Sequence, residues 1–463
     1  MADIVLTHGY FLWEDPNEAK VMKPYPPLGL LYLAAYARRA GLIPEVLDTT
    51  FMDRSEVLAR LDATPGATMG IYTNLMTRAN VVWLMGEARA RDWTVIVGGP
   101  ESANYPSEYL RHGAQAVVLG EGEETLVHLL EVLSRGNPHQ LHEVAGVVFR
   151  DHRGRQITND ARPQLRDLDS LPWPERDAID TQRYVDVWRT HHGMGSVNLI
   201  TARGCPYKCN WCSHATYGHT HRRRSPADCA EEVAHIMDRY RPDQVWYADD
   251  VFTISHKWLF DYAAELAQRK LHVPFETISR ADRMAKEEVF RTLADMGCYR
   301  IWIGSESGSQ RILDAMQRGV TVEQVRWACR TAKRYGIEVG MFLMWGYEGE
   351  ELSDIEATID HVKEANPDIY FTTVSYPIKG TGYFNKVADK LAVQEDWASS
   401  TDRDLTIQGR HSRAYYGHAD AWLHAEVDAH RLAETDPTAS AERRRQAADS
   451  RRALLAAAHE VES

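Results

Sequence analysis

Two successive series of alternating strands and helices constrain what this chain of 463 residues can fold into. In the first series, short β-rich runs are separated by segments of helical period, of which 29–40 is the clearest. The predicted strands are 3–7, 45–48, 69–73, 94–99 and 116–120. Because strands that alternate with helices form parallel sheets, the series predicts a doubly wound, Rossmann-like α/β domain over residues 1–135.

The second series predicts six more strands, again separated by amphipathic helices such as 256–270. These strands are 197–202, 244–248, 275–279, 300–305, 338–346 and 369–376. Six strand–helix units indicate an open, partial (β/α)6 barrel over residues 193–387. Barrels of this kind carry their chemistry at the carboxyl ends of the strands, so we look there for functional side chains.

Two further segments complete the predicted organisation. Residues 136–192 form a linker that contains a β-hairpin, turning at 151–155. Residues 388–463 lose the alternation and are rich in helix formers, which predicts a C-terminal helical region. Within it, 410–422 is either a substrate lid or a solvated helix.

Charge and composition exclude several classes of protein. The chain has 66 acidic and 53 basic residues, a net charge of −13, which argues against an electrostatic grip on nucleic acid or anionic lipid. No stretch approaches the roughly 20 apolar residues that cross a bilayer, and the N-terminus lacks a basic signal region. We therefore expect a cytoplasmic protein with no membrane span and no nucleic-acid partner.

Three of the six cysteines form a tight motif at the end of the first barrel strand. Cys205, Cys209 and Cys212 follow a C-x3-C-x2-C spacing, and no cysteine precedes them. Three thiolates can hold three corners of an iron–sulfur cube and leave one iron open for chemistry. The alternatives are a zinc loop completed by His214 or His219, or three unpaired cysteines.

This loop resembles that of the radical S-adenosylmethionine (SAM) superfamily. The superfamily's C-x3-C-x-aromatic-C pattern is matched by the three cysteines with Trp211 as the aromatic residue. The resemblance implies a 4Fe-4S cluster whose open iron binds SAM and cleaves it to a 5'-deoxyadenosyl radical. It also implies an external electron donor such as flavodoxin or ferredoxin.

Polar residues at the other barrel strand ends fit a SAM pocket. Asp249 and Asp250 close the second strand and would accept hydrogen bonds from an ammonium group. Arg280 closes the third strand and would pair with a carboxylate. Glu306 and Ser307 close the fourth and would bind ribose hydroxyls. The alternative is that these side chains pair with each other or cap helices.

Small residues cluster at three strand ends of the N-terminal domain, where open α/β sheets bind ligands. These predicted binding residues are Thr73, Asn74, Leu75, Gly98, Gly99, Pro100, Gly120, Glu121 and Gly122. Each group alone also fits a tight turn. As a set, with 26–29 before the first helix, they resemble the cobalamin-binding domain of cobalamin-dependent radical SAM enzymes. The resemblance implies a corrinoid whose nucleotide tail lies between Thr73 and Gly99.

One departure concerns the lower face of cobalt. The D-x-H-x-x-G motif, by which methionine-synthase-type domains supply an axial histidine, is absent. We therefore expect base-off cobalamin with no protein histidine on cobalt. His8, in the loop after the first strand, is the alternative ligand.

The resemblance implies a methyltransferase that acts on an unactivated carbon of a small molecule or natural product. The alternative is a cyclase, rearrangement or oxidation enzyme with the same cofactors. Tyr376, at the end of the sixth strand, is the candidate acid, base or hydrogen donor, or else packs in the core. A non-catalytic corrinoid sensor is disfavoured, because an open-iron loop with a SAM-like pocket exceeds what sensing needs. Transfer-RNA methylthiolation is disfavoured because residues 1–204 hold no cysteine for a second cluster and the chain is acidic.

Overall fold

The structure is a computed structural model that describes residues 2–135, 138–392 and 396–462. The chain forms two compact units, each assembled from separate segments. The first unit contains Met1–Pro206, Ser213–Ala248 and Asp396–Thr401. The second contains Tyr207–Cys212, Asp249–Glu395 and Asp402–Ser463. Residues 1, 136 and 463, which bound predicted segments, lie outside the described residues.

A seven-stranded sheet forms the centre of the first unit. Its strands are β1 (Ile4–His8), β2 (Pro44–Leu47), β3 (Thr68–Tyr72), β4 (Thr94–Gly98), β5 (Ala116–Val118), β6 (Val147–Arg150) and β7 (Gln156–Thr158). They lie in the order β2-β1-β3-β4-β5-β6-β7. Strands β1 to β5 are parallel and β6 and β7 pair antiparallel, so the predicted doubly wound sheet is present and the predicted hairpin extends its edge.

The helices of the first unit are α1 (Pro16–Val21), α2 (Leu28–Arg39), α3 (Arg54–Asp62), α4 (Arg78–Arg89), α5 (Pro100–Asn104), α6 (Pro106–Arg111), α7 (Glu123–Ser134), α8 (Thr181–His192) and α9 (Pro226–Arg239). Apolar residues of α2 and α7 join the cluster on one face of the sheet, and apolar residues of α3, α4 and α6 join the cluster on the other. Strand alternation divides the core, since Val5 joins the apolar cluster on one face while Ile4 and Leu6 join the cluster on the other. Burial on both faces explains why the strands are continuous apolar runs.

The six predicted barrel strands pair in parallel within each unit, and a short antiparallel ribbon lies beside them in the sequence. In the first unit, β8 (Ser196–Leu199) pairs with β11 (Gln244–Tyr247), and β9 (Ala202–Arg203) forms an antiparallel ribbon with β10 (Arg222–Arg223). In the second unit four strands pair in sequence order, namely β12 (Phe275–Ser279), β13 (Cys298–Glu306), β14 (Glu338–Trp345) and β15 (Ile369–Val374). All six predicted strand–helix units are thus present.

Helices of the second unit separate and follow its strands. They are α10 (His256–Gln268), α11 (Glu287–Met296), α12 (Gln310–Ala315), α13 (Val322–Arg334), α14 (Leu352–Ala365), α15 (Gly382–Val387), α16 (Arg413–Leu432) and α17 (Pro437–Ala456). The last two confirm the predicted helical C-terminus. Helix α16 packs on β15, where the Tyr370 hydroxyl lies 2.9 Å from His424 Nδ1. With Tyr416 and Trp422 also buried, the segment 410–422 is a packed element of this unit and not a solvated helix.

Within the described residues, no helix is both long enough and apolar enough to cross a bilayer.

Candidate functional site

A cavity of about 400 Å³ lies inside the first unit, at the carboxyl ends of the parallel strands. Its walls are mostly apolar and come from β1, α2, β3, β4, β5 and α7. They include Leu6, Leu30, Leu33, Ile71, Ile96, Val118 and Leu126. This is the edge of an open sheet where such folds bind ligands.

Glycines keep this cavity open. Gly98 lies on the same face of β4 as Ile96, and a Cβ there would sit 3.5 Å from Val118 Cβ. Gly99 has a φ of +111°, and a Cβ would lie 2.4 Å from the Thr73 carbonyl oxygen, so only glycine fits. A Cβ at Gly122 would approach Leu33 Cδ2 to 3.0 Å. Larger residues would fill the space that a bulky ligand needs.

Five of the nine residues predicted in this domain line the cavity: Gly98, Gly99, Gly120, Glu121 and Gly122. The other four shape the neighbouring loops. Thr73 Oγ1 donates to the Gly98 carbonyl at 3.0 Å and accepts the Ser102 N–H. Asn74 Oδ1 accepts the Met76 N–H at the start of a 3-10 turn that begins at Leu75, and Pro100 opens α5.

The Glu121 carboxylate is engaged within the protein. Its oxygens accept hydrogen bonds from Arg203 at 2.8 Å, from Arg222 at 2.7 Å and from the Leu165 N–H. Arg203 also pairs with Glu123 and lies over the rings of two tyrosines on the cavity wall, Tyr32 and Tyr217. Burial raises the pKa of Tyr217 to about 12, so its phenol stays neutral. Glu121 therefore holds Arg203 at the rim.

His8 is occupied by other hydrogen bonds. Its ring is buried, Nε2 lies 3.0 Å from Asp48 Oδ1, and Nδ1 accepts the Tyr10 N–H at 3.1 Å. Asp48 also accepts the Tyr184 hydroxyl, and these bonds lower the pKa of the Asp48 carboxyl despite the opposing effect of burial, which is the largest single influence. With both ring nitrogens engaged, His8 is held for a structural role.

The cysteine loop carries the second set of predicted residues. Cys205 lies in the first unit and follows Gly204, whose φ is +83°. A Cβ added at Gly204 would lie 2.4 Å from the Thr220 carbonyl oxygen, so this position requires glycine. Cys209 and Cys212 belong to the second unit and are joined by a Cys212 N–H to Cys209 carbonyl bond. None of the three cysteines is in a disulfide bond, and all three are at least partly exposed.

The Cys209–Cys212 turn is anchored through Asn210. Its N–H donates to the Met316 carbonyl at 3.0 Å, its side-chain amide donates to the Ala315 carbonyl, and its own carbonyl accepts the Tyr383 N–H at 2.8 Å. Trp211 packs against the apolar cluster that contains Met316 and Tyr383. The aromatic residue of the motif therefore fixes the loop to the barrel.

Among the described residues, no three His, Cys, Asp or Glu side chains converge as ligands of a single metal ion. A cubane cluster binds one thiolate at each of three separate irons, so its cysteines need not meet at one point. The donor set, three thiols within eight consecutive residues, fits such a cluster.

Arg280 lies next to this loop. Its guanidinium is buried, donates through Nη1 toward Cys209 Sγ at 3.7 Å and stacks over the Tyr207 ring at 3.6 Å. Its carboxylate partner is Asp282, 2.9 Å from Nε. The two aspartates predicted at the end of the second barrel strand differ in burial, since Asp249 is buried and Asp250 is exposed.

Glu306 and Ser307 end β13 in different environments. Glu306 has a left-handed backbone, with φ of +65°, and burial raises the pKa of its carboxyl while nearby arginines oppose the shift. Ser307 is fully buried, with its hydroxyl bonded to Thr358 and to the Ser309 N–H. The Ser307 hydroxyl thus stabilises the loop after β13, whereas the Glu306 carboxylate lies 3.9 Å from Arg318 Nε. Tyr376 lies two residues beyond β15, with its ring 5.7 Å from the Arg403 guanidinium.

Three residues of these sites were not predicted from the sequence: Arg203 and Tyr217 at the cavity, and Arg318, whose Nη1 lies 3.9 Å from Cys209 Sγ. Arg203 precedes the cysteine motif by two positions, so its place next to the motif was an available indication. Tyr217 and Arg318 lie in irregular segments with no periodic pattern, and only the folded chain brings them to these sites.

Both halves of the chain match known domains. The radical SAM superfamily matches residues 199–362, and the B12 binding domain matches residues 17–130. An uncharacterized methyltransferase of Pyrococcus horikoshii is 28% identical over 402 residues, covering 83% of this chain and 84% of that protein. The anaerobic magnesium-protoporphyrin IX monomethyl ester cyclase of Rubrivivax gelatinosus is 24% identical over 386 residues, covering 81% and 68%.

The fold is shared with a solved structure of a cobalamin-dependent S-adenosylmethionine radical enzyme, OxsB, with aqua-cobalamin and S-adenosylmethionine bound. The TM-score is 0.73 at 16% sequence identity, over 98% of this chain and 72% of that one. Because a B12 binding domain is followed by a radical SAM domain, the chain belongs to the family of cobalamin-binding radical SAM enzymes. The family, the fold class and the cofactor set predicted from the sequence, a 4Fe-4S cluster, SAM and cobalamin, are confirmed.

Proposed function

We propose that this enzyme transfers a methyl group to an unactivated carbon of a small-molecule or natural-product substrate. The observation that carries the proposal is the pairing, in one chain, of a glycine-lined cavity in a B12 binding domain with a three-cysteine loop in a radical SAM domain. The methyltransferase relative from Pyrococcus horikoshii, matched over most of both chains, supports methyl transfer.

Each cofactor has residues that suit it. Cys205, Cys209 and Cys212 would hold the cluster. The cavity of the first unit, which Gly98 lines, would bind the nucleotide tail of the corrinoid. When bound, the cluster and SAM supply hydrogen-atom abstraction and cobalamin supplies the methyl group. The fixed protein groups contribute orientation and exclusion of water.

The barrel strand ends would orient SAM. Arg280, beside the cysteine loop, would pair with the SAM carboxylate, and Glu306 would accept hydrogen bonds from ribose hydroxyls. Asp249 and Asp250 would face the ammonium group. Tyr376 is proposed to give or take a proton or hydrogen atom at the substrate.

The second candidate is ring formation without net methyl transfer. The cyclase relative from Rubrivivax gelatinosus favours it, since it matches 81% of this chain. The two candidate functions use the same cofactor-binding residues named above. They differ in whether the substrate carbon receives a methyl group or forms a ring bond.

Partners, location and domain limits follow from the same proposal. An external one-electron donor of the flavodoxin or ferredoxin class would reduce the cluster. The net charge of −13 supports a small-molecule substrate over a nucleic acid. Six cysteines, three of them clustered within eight residues, are unlike a secreted disulfide framework and support a reducing, cytoplasmic compartment. We assign residues 1–135 to cobalamin, 193–387 to the cluster and SAM, 136–192 to the linker and 388–463 to a helical region that completes the fold.

The test is an anaerobic incubation of the reconstituted enzyme with methylcobalamin, methyl-labelled SAM and a small-molecule extract, followed by mass spectrometry. The proposal expects a product that carries the labelled methyl group, absent when all three motif cysteines are replaced by alanine. An unlabelled product that has lost hydrogens without gaining carbon would support ring formation instead and overturn methyl transfer.

A further inference from the structure

We propose that Arg318 is a positioning residue for the iron–sulfur cluster, holding a positive charge against the Cys209 sulfur so that the cluster accepts an electron more readily. The inference rests on the proposed function, since it requires a cluster on the three-cysteine loop. It concerns a residue outside the cysteine motif and outside the strand ends assigned to SAM.

The first observation is the position of the Arg318 guanidinium. Nη1 donates toward Cys209 Sγ at 3.9 Å, while Nη2 donates to the Gly304 carbonyl at 2.8 Å. The residue is 7% exposed, so solvent and salt screen its charge poorly. Arg280 reaches the same sulfur from another side, at 3.7 Å, and two buried guanidinium groups therefore converge on one thiol.

The second observation is that the counter-charge of Arg318 lies at the limit of ion-pair distance. Within the part of the chain that the structure describes, the carboxylate within that distance is Glu306, whose Oε1 lies 3.9 Å from Arg318 Nε. A buried guanidinium keeps its proton, so one that is paired at this distance favours a further negative charge nearby. A thiolate-bound cluster at Cys209 would add that charge.

The third observation is how the backbone delivers this side chain. Arg318 lies between Gln317, with φ of +52°, and Gly319, with φ of +64°. A left-handed conformation at a non-glycine residue such as Gln317 is uncommon and is maintained by surrounding contacts. Those contacts exist, because the Met316 carbonyl accepts the Asn210 N–H and the Arg318 carbonyl accepts Arg280 Nη2 at 2.8 Å.

These contacts hold the 316–318 segment beside the cysteine loop and Arg280. The charge of Arg318 then determines how it changes the reduction potential of the cluster. Reduction adds one electron, and thus one negative charge, to the cluster. A nearby fixed cation stabilises the reduced form more than the oxidised form, so it raises the reduction potential. Hydrogen bonds to cluster sulfurs act in the same direction.

The test compares Arg318→Gln and Arg318→Met, which are neutral, with Arg318→Lys, which keeps the charge. Arg330→Gln is the matched control, because it removes an exposed charge on α13 that pairs with Glu323. The cluster is reconstituted without cobalamin or SAM, poised at fixed potentials, and its reduced fraction is measured by electron paramagnetic resonance.

At the wild-type midpoint potential, half of the cluster is reduced. We expect the neutral variants to lower the ratio of reduced to oxidised cluster about tenfold, which corresponds to about 59 mV for one electron. Arg318→Lys and Arg330→Gln should stay near the wild-type ratio. Equal ratios in the neutral variants and the wild type overturn the proposal, as does a lysine variant that shifts as far as the neutral ones.

Loss of the cluster is also decisive. If the neutral variants fail to retain iron while Arg318→Lys retains it, the positive charge is needed to hold the cluster and the proposal stands. If Arg318→Lys loses iron too, the side chain acts through packing and the proposal is wrong. A wild-type protein that binds no cluster would instead refute the proposed function, so the two failures are distinguishable.

Discussion

Protonation of His361 should destabilise the barrel in mild acid. This side chain of α14 is fully buried beneath the end of β13. Its Nδ1 accepts the Arg326 Nε–H at 3.2 Å, so Nε2 carries the proton and donates to Ser305 Oγ at 2.9 Å. Burial, with a further contribution from the Arg326 charge, lowers the pKa of His361 from 6.5 to about 3.

The sign and size of the effect follow from this shift. Between pH 3 and 6.5 the unfolded chain binds a proton at His361 and the folded chain does not, so stability falls as pH decreases through that window. From pH 7 to pH 5 this one group should lower the free energy of unfolding by about 2 kcal/mol, given 1.36 kcal/mol per pKa unit. The neutral His361 also keeps Ser305 in place, directly before Glu306.

The assay is urea unfolding at pH 7 and pH 5, compared with His361→Gln, whose amide can still bond to Ser305 but does not titrate. We expect the variant to be less stable at pH 7 and to lose about 2 kcal/mol less than the wild type on moving to pH 5. His191→Gln, at an exposed histidine of α8, should keep the wild-type dependence. Identical pH dependence in His361→Gln and wild type would refute the reasoning.

Two other titrating or ligating side chains give further predictions. Burial raises the pKa of Glu350 to about 8, although its Oε2 accepts the Gly346 N–H at 2.6 Å. The folded chain therefore holds the extra proton, and the free energy of unfolding should fall by about 3 kcal/mol from pH 6 to pH 9. Glu350→Gln should remove most of that loss in urea unfolding, and an unchanged loss would contradict the assignment. Because both nitrogens of His8 are engaged, cob(II)alamin bound to the protein should show no superhyperfine splitting from an axial histidine nitrogen in paramagnetic resonance. Splitting that disappears in His8→Ala would show the opposite.

The sequence was sufficient for the fold because strand and helix periods are local. The strand predicted at 275–279 is observed as Phe275–Ser279, and the helix predicted at 29–40 is Leu28–Arg39. The cysteine motif was equally accessible, since its spacing lies within eight consecutive residues. Patterns of this kind survive because hydrophobic periodicity and short loops need no knowledge of distant contacts.

Other features of the sites depend on long-range contacts that no local pattern encodes. Glu121 was predicted to bind cofactor, yet its carboxylate is bonded to Arg203 and Arg222, which lie at least 82 positions away along the chain. Arg318 reaches Cys209 across 109 positions. Likewise, Gly98 and Gly99 look alike in sequence, but only Gly98 has room for a Cβ.

Because Gly98 has room for a Cβ and Gly99 does not, Gly98 is the residue to substitute in a test of the cobalamin site. Gly98→Leu places a side chain on the cavity face of β4 without the backbone conflict that Gly99→Leu would create with Thr73. Gly86→Leu is the matched control, since Gly86 is exposed on α4 and a Cβ there meets nothing within 4 Å.

The iron and corrinoid content of reconstituted, gel-filtered variants shows whether one chain holds two separate cofactor sites. Wild type and Gly86→Leu should retain about four irons, as one cubane cluster requires, together with corrinoid. Replacement of Cys205, Cys209 and Cys212 by alanine should remove the iron and leave the corrinoid, and Gly98→Leu should do the reverse. Iron retained without the three cysteines, or corrinoid unchanged in a folded Gly98→Leu protein, would contradict the account.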